Sequence, residues 1–408
     1  MAWIAKERRQ SAREQEIANI LKDRTWKVDF GGPFDSSDSA GQPQTGWRYA
    51  ARRMLGERIS RLDFDAHPYR YSMSSSAGRR NIETSPDPLS LRDLSPLLGL
   101  KNLQSLDLKG RQISDLTPLA GLKSLKELGL AETLVTDLTP LAGLTNIEYL
   151  NLCCNEIKSL APLALLKNLK TLNLSSTHVA DLSPLTSLVN VDRLQISMTE
   201  VDDLTPLAHL TNLRELSATA TSVYELGPLE NLANLEELSI SPKGLWDPPG
   251  QVCSLAPLAK LTKLRRLSVD KESVKDIAPL AGLTNLSELS IKWAEVSDLS
   301  PLAKLTNLES LELRDTQISS VQELAGLTKL ESLDIASTKV LDLTPLIGLK
   351  ELKTLDASKT LVANLTPLRG LTKLRDLDIR DTKVSRADID ALEKALPKCI
   401  VNHNCFSN

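Results

Sequence analysis

Few side chains in this sequence are of the kinds that make and break bonds, and they stand apart from one another. The histidines are His67, His178, His209 and His403. No G-x-S-x-G, no glycine loop fit to cradle phosphate and no H-E-x-x-H pair accompanies them. Cys153 and Cys154 follow the leucines of a short strand pattern with no histidine beside them. A nucleophilic thiolate there would have no base to create it, and would need a depressed thiol pKa. Cys399, His403 and Cys405 approach a zinc set but a fourth ligand is missing, and the tail NHNCFSN reads as frayed. The residues point to no catalytic group, no metal and no cofactor. The expectation is a protein that is not an enzyme.

Binding chemistry is better represented. Glu312, Asp334, Asp356 and Asp378 recur at a step of 22 residues. On neighbouring strands, four carboxylates spaced roughly 5 Å apart repel one another. A merely solvated face does not require such a column, so it is expected to receive a basic segment of a partner. The plain alternative is that small polar residues vary freely there while Lys359, Arg375 and Arg380 neutralise the acids. Large apolar side chains add a second clue, because aromatic anchors dominate binding hot spots. Tyr149 holds an outward strand position, Met198 and Trp293 sit at a strand's trailing edge, and Trp246 lies in an inserted loop. Trp246 and Trp293 border one patch in this reading, unless Trp246 folds back over the flank.

The elements that must position these residues are copies of one phrase. Leu103–Ser124 reads LQSLDLKGRQISDLTPLAGLKS, and its first apolar residue recurs at 125, 147, 169, 191, 213, 235, 264, 286, 308, 330, 352 and 374. Every step is 22 residues except one of 29. Self-similarity at such a period marks a solenoid. The end of L-x-x-L-x-L alternates with the period of a strand, so the strand is short. In L-x-P-L-x-x-L the proline lacks an amide hydrogen and fixes φ, which predicts a tight helical turn for the return. One unit has a single apolar side. Stacking gives a parallel sheet and a continuous leucine core.

The phrase L-x-x-L-x-L-x-x-T/N-x-I/V-S/T-D-L-T-P-L-A-G-L-T-N resembles the 22-residue leucine-rich repeats of the bacterial internalins. It is also similar to phosphatase regulatory subunits built on the same period. The resemblance covers residues 91–384, extending to 59–384. It implies an α/β solenoid: a leucine-rich repeat right-handed superhelix with a parallel β-sheet on its concave face and short 3₁₀ or irregular convex segments. It implies as well that proteins are recognised on the concave strands. The secretion signal and immunoglobulin-like domain of internalins are not visible. The turn position usually held by Asn is mostly Thr here (Thr133, Thr177, Thr199, Thr221, Thr316, Thr338, Thr360, Thr382), with Asn at Asn155. A threonine hydroxyl is expected to bond the backbone of the neighbouring turn.

Organisation follows the repeat. Residues 1–58 form an N-terminal region with helical stretches over 2–23 and 47–57, a strand-like WKVDF at Trp26–Phe30 and a flexible linker over 31–46. The 47–57 helix is expected to cap the open solenoid end. The repeats span 59–384, with insertions at about 67–89 and at 241–253. Residues 385–408 make a helix-plus-strand C-terminal cap, where Ser385 and Asp388 have capping-box spacing and Pro397 ends the helix. Nine of the fourteen aromatics precede residue 72, and residues 1–80 carry 15 Lys/Arg against 10 Asp/Glu. That basic excess reads as a solvated surface. A net charge of −3 gives no reason to expect nucleic acid. Five cysteines without a framework suit a reducing compartment. No signal-peptide core or membrane-length apolar run occurs. The expectation is a cytoplasmic monomer, compatible with delivery into a host cell by a specialised system. It would be a non-enzymatic scaffold for a protein partner, or alternatively an effector or regulatory protein whose N-terminal region carries a separate targeting function or activity.

Overall fold

A computed structural model of the chain describes residues 26–29, 61–64, 92–242, 253–270 and 273–404. The helices expected over 2–23 and 47–57, the linker 31–46, the insertion 67–89 and residues 243–252 of the insertion 241–253 lie outside those residues. The chain divides into two compact units, residues 1–179 and 180–408.

In the first unit the strands are β1 (Trp26–Asp29), β2 (Arg61–Phe64), β3 (Ser105–Asp107), β4 (Glu127–Gly129), β5 (Tyr149–Asn151) and β6 (Thr171–Asn173). β1 pairs antiparallel with β2, and β2 through β6 are parallel in chain order. The second unit holds β7 (Arg193–Gln195), β8 (Glu215–Thr221), β9 (Glu237–Pro242), β10 (Arg266–Val269), β11 (Glu288–Ser290), β12 (Ser310–Glu312), β13 (Ser332–Asp334), β14 (Thr354–Asp356), β15 (Asp376–Asp378) and β16 (Ile400–Asn402). These ten strands are parallel and in sequence order. Each unit is therefore a solenoid of the expected kind.

Register explains the core. Leu106 faces Leu128, Leu128 faces Leu150, and in the second unit Leu311 faces Leu333 and Leu333 faces Leu355. A shift of one residue would turn every one of these leucines to solvent, so burial locks the pairing. The inward leucines are 0–2 % exposed. Burial of each contributes roughly 1.5–3 kcal/mol.

The returns are 3₁₀ turns, as in Thr117–Leu119 and Thr205–Leu207, with proline in their first two positions. Proline is not their sole cause. Gln322–Gly326, where Glu323 replaces it, forms the same turn. A second device precedes the turns. Asp115, Asp137, Asp181, Asp203, Asp276, Asp298 and Asp342 each accept the N–H two residues on, at 2.7–2.8 Å. This short-side-chain bond is what makes Asp favourable just before a turn.

The threonines at the buried turn position behave differently from expectation. Thr133, Thr177, Thr199, Thr316, Thr338 and Thr360 donate to the carbonyl three residues back in their own coil, and Thr133 alone of these also meets the neighbouring coil, at the Asn155 side-chain oxygen 2.7 Å away. A hydroxyl on Cβ is too short to reach the backbone of the neighbouring coil. Asn155 does reach, its Nδ2 donating to Leu130 O at 2.7 Å in the preceding coil and to Leu152 O at 3.0 Å in its own. Coils are tied elsewhere by another asparagine column. Asn146, Asn168, Asn212, Asn234, Asn285 and Asn307 donate to the carbonyl 23 residues earlier.

At the C-terminal end α1 (Arg386–Ala395) starts at Ser385, whose Oγ accepts from Asp388 N at 3.1 Å. Ile389 and Leu392 are buried beneath it. The chain then adds β16 parallel to β15, the last edge strand expected from Ile400–Val401. Among the described residues no helix is long and apolar enough to cross a membrane.

Candidate partner-binding face

Strand residues flanking the inward leucine point away from the core, because side chains alternate across a strand. In the second unit the register sets Glu312 opposite Asp334, Asp334 opposite Asp356, and Asp356 opposite Asp378. The four acids of the sequence column are thus consecutive neighbours on β12 to β15.

Their carboxylates have structural partners as well as solvent. Asp334, Asp356 and Asp378 accept the N–H two residues on, from Ala336, Ser358 and Arg380, at 2.9–3.0 Å. In the first unit Asp107, Asn151 and Asn173 do the same toward Lys109, Cys153 and Ser175. Asp and Asn therefore recur at this position because the N–H two residues past the strand's end needs an acceptor. Cations interleave on the same face. Arg314 Nε bonds Asp334 at 2.9 Å, and its Nη2 also contacts Asp356. Lys292 Nζ holds Glu312 at 2.6 Å, and Arg380 holds Asp378 at 2.5 Å. Of the three neutralising residues expected, Arg380 fills that role, while Arg375 turns to the carbonyls of Thr372 and Leu374.

These contacts set the protonation behaviour. Burial raises the Asp334 carboxyl above its ordinary value, and its backbone and Arg314 bonds only partly offset this. Burial also works to raise Glu312, but the Lys292, Ser290 and Arg314 contacts together carry it below the usual range. Asp378 follows the same pattern, with Arg380 overcoming burial. Lys292 is itself pulled down by burial but held higher overall by Glu312 and Asp270.

Lys292 and Arg314 were not singled out from the sequence, although each stands two residues beyond the outward last residue of its strand, Ser290 or Glu312, and so shares that strand's outer face. Asp270 was also missed. It is 8 % exposed and takes bonds from Ser268 (3.0 Å), Ser290 (2.6 Å) and the Lys292 N–H (3.0 Å).

The apolar candidates separate. Trp293 is 50 % exposed beside Lys292, whose Nζ lies 5.8 Å from its ring centroid. Met198, 57 % exposed, follows β7, four strands earlier in the same unit. Tyr149 is 40 % exposed on β5 of the first unit. Trp246 lies outside the described residues. Trp293 and Met198 share one backbone peculiarity, φ of +59° and +56°, in a position where Glu132, Cys154, Ser176, Ala220, Asp315, Ser337, Lys359 and Asp381 are also left-handed. A large side chain there costs roughly 1–2 kcal/mol relative to glycine.

The geometry does not activate Cys153. Burial, with Cys154 and Glu132 acting the same way, pushes Cys153 up to about 12, opposite to what a nucleophile requires. Among the described residues no group of His, Cys, Asp or Glu is arranged to hold a metal ion.

The family Leucine Rich repeats (2 copies) matches residues 123–165 and 306–348. Curated proteins yield no match. Among solved structures, the internalin InlF from Listeria monocytogenes is similar at 28 % identity and TM-score 0.60, covering 78 % of this chain and 84 % of its own. A leucine-rich repeat protein of Leptospira interrogans is similar at 21 % identity and TM-score 0.66, covering 75 % and 86 %. The PEPR1–AtPEP1 structure shares the fold at 18 % identity and TM-score 0.61, covering 77 % and 46 %. Repeat phrase, coil geometry and these matches agree: the chain is a leucine-rich repeat protein with internalin-like repeats.

Proposed function

We propose that the chain is a protein-binding scaffold whose second unit takes a basic segment of a partner protein on the strand face of β11 to β15, with Trp293 as its aromatic anchor. The carrying observation is the charge of that face. Its outward positions hold Glu288, Glu312, Asp334, Asp356, Asp376 and Asp378 against Lys292, Arg314 and Arg380, leaving −3. Held by bonds to backbone and to one another, these side chains lose little freedom when a partner arrives, which reduces the cost of binding. A surplus of one sign steers encounter with the opposite sign. Trp293 supports the same reading, since an exposed tryptophan in a left-handed position is a poor choice for stability alone. That the fold also occurs in PEPR1–AtPEP1 and in the LRIM1/APL1C complex supports a binding role in general.

Fluorescence anisotropy of the full chain against lysine- and arginine-rich peptides, with acidic and neutral peptides as comparison, tests this. Basic peptides should bind preferentially and weaken as salt rises. The combined variant Glu312→Gln, Asp334→Asn, Asp356→Asn keeps the acceptors but removes the charge, and should weaken binding about tenfold or more, a change of roughly 1.4 kcal/mol. Equal binding of acidic peptides, or full binding by the neutralised variant, rules the reading out.

A further inference from the structure

We propose that Cys153 and Cys154 form a preorganised dithiol site for trivalent arsenic, in the first unit and independent of the acidic face. Consecutive side chains of a strand point to opposite sides, so two neighbouring cysteines ordinarily cannot act together. Here Cys154 adopts φ +60°, which turns the chain just past β5 and brings the two Sγ atoms to 3.3 Å. Both are free thiols and both are partly exposed. A disulfide would hold them at about 2.0 Å, so the pair is poised but not joined. A trivalent arsenic atom, with its nearly orthogonal bonds, spans two sulfurs at close to the observed separation.

The backbone under the pair is pinned. Cys153 N–H donates to Asn151 Oδ1 at 3.1 Å, and its carbonyl accepts from Glu132 N at 2.8 Å and from Asn155 Nδ2 at 3.2 Å. Cys154 N–H donates to Ser175 O at 2.8 Å. Chelation therefore orders little that is not ordered already.

The environment selects among soft ligands. Burial, Cys154 and Glu132 keep Cys153 protonated, with Lys109 opposing them weakly. Zinc would have to strip protons from both sulfurs and find further ligands. Peroxide oxidation runs through the thiolate, which is scarce here. An organoarsenical of the type R–As=O asks for neither. Two As–S bonds form, two S–H bonds and the As=O bond are lost, and the oxygen leaves with both protons as water. Arsenic stays trivalent, no oxidant is needed, and the product is neutral, so no charge is placed in a half-buried site.

Phenylarsine oxide and intact-mass measurement of the native full chain provide the test, on a background with Cys253→Ser, Cys399→Ser and Cys405→Ser. That protein should take up one arsenical, keep it in excess monothiol and release it to a dithiol. Adding Cys153→Ser, or separately Cys154→Gly, which suits the left-handed backbone, should abolish the retained adduct while far-UV circular dichroism stays that of the parent. Retention by either of these folded variants, or loss of the parent adduct to monothiol alone, overturns the proposal.

Discussion

Trp293 shows how one side chain can be costly to the fold yet kept. It sits at φ +59°, half exposed, with its N–H donated to Arg314 O at 3.0 Å. Asparagine tolerates that conformation better. Trp293→Asn is therefore expected to raise the unfolding free energy by up to about 1 kcal/mol, read as a higher urea midpoint. A core tryptophan would behave in the opposite way, losing roughly 3–5 kcal/mol on truncation. If the midpoint falls by that amount, Trp293 is packing and not an anchor. Asp356 separates charge from structure in the same manner. Its Oδ1 accepts from both the N–H and the hydroxyl of Ser358, at 2.9 and 2.6 Å. Asp356→Asn retains an acceptor and should leave the midpoint unchanged, whereas Asp356→Ala should cost about 1 kcal/mol.

The coil depends on two polar devices of different reach. Asn155 bonds backbone carbonyls of its own coil and of the one before it, while the threonines at the equivalent position reach only the carbonyls of their own. Asn155→Thr should consequently cost roughly 0.5–1.5 kcal/mol, because the bond to Leu130 O is lost while Thr133 Oγ1 still donates to that carbonyl. A midpoint unchanged by that substitution would show that the Asn155 bonds add nothing to what the backbone, the leucines and the other asparagine column supply. The aspartates ahead of the 3₁₀ turns add a pH dependence. Asp115, Asp137, Asp203 and Asp342 are held below the ordinary carboxylate value of 3.8, first by the side-chain bond and then by the backbone bond of the residue two on. A folded pKa lower than the unfolded one means the folded state holds fewer protons in that window. Their stabilisation is complete above 3.8 and is lost as pH falls through the folded values. Asn364 already fills this position and bonds Thr366 N at 2.9 Å. Replacing those four aspartates by asparagine should flatten the acid limb of the melting temperature against pH, and an unchanged limb would place the acid sensitivity elsewhere.

Across the chain, the period was legible because one side of every coil must be leucine, and both the short parallel strands and the proline turns follow from it. Even the WKVDF and Ile59–Phe64 phrases form strands, at Trp26–Asp29 and Arg61–Phe64. The four acids could be aligned from spacing alone. Their pairing with Lys292 and Arg314 was not read, since it depends on side chains reaching across coils 20 and 42 residues apart. The left-handed column escaped as well, because glutamate, cysteine, methionine and tryptophan occupy positions where glycine would have signalled it. Nor does any break in the 22-residue step mark the division after Val179. A solenoid coil touches little beyond its neighbours, so its stability is nearly a sum of local terms. Leu333, 1 % exposed between Leu311 and Leu355, is a suitable probe of that property. Leu333→Ala should cost about 2–5 kcal/mol locally. In native-state hydrogen exchange the amides of β12 to β14 should then lose protection, while those of β8 and β9 in the same unit keep most of theirs. Equal loss along the whole unit would mean that its coils unfold as one cooperative body, and that a partner docked on β11 to β15 stabilises every strand alike.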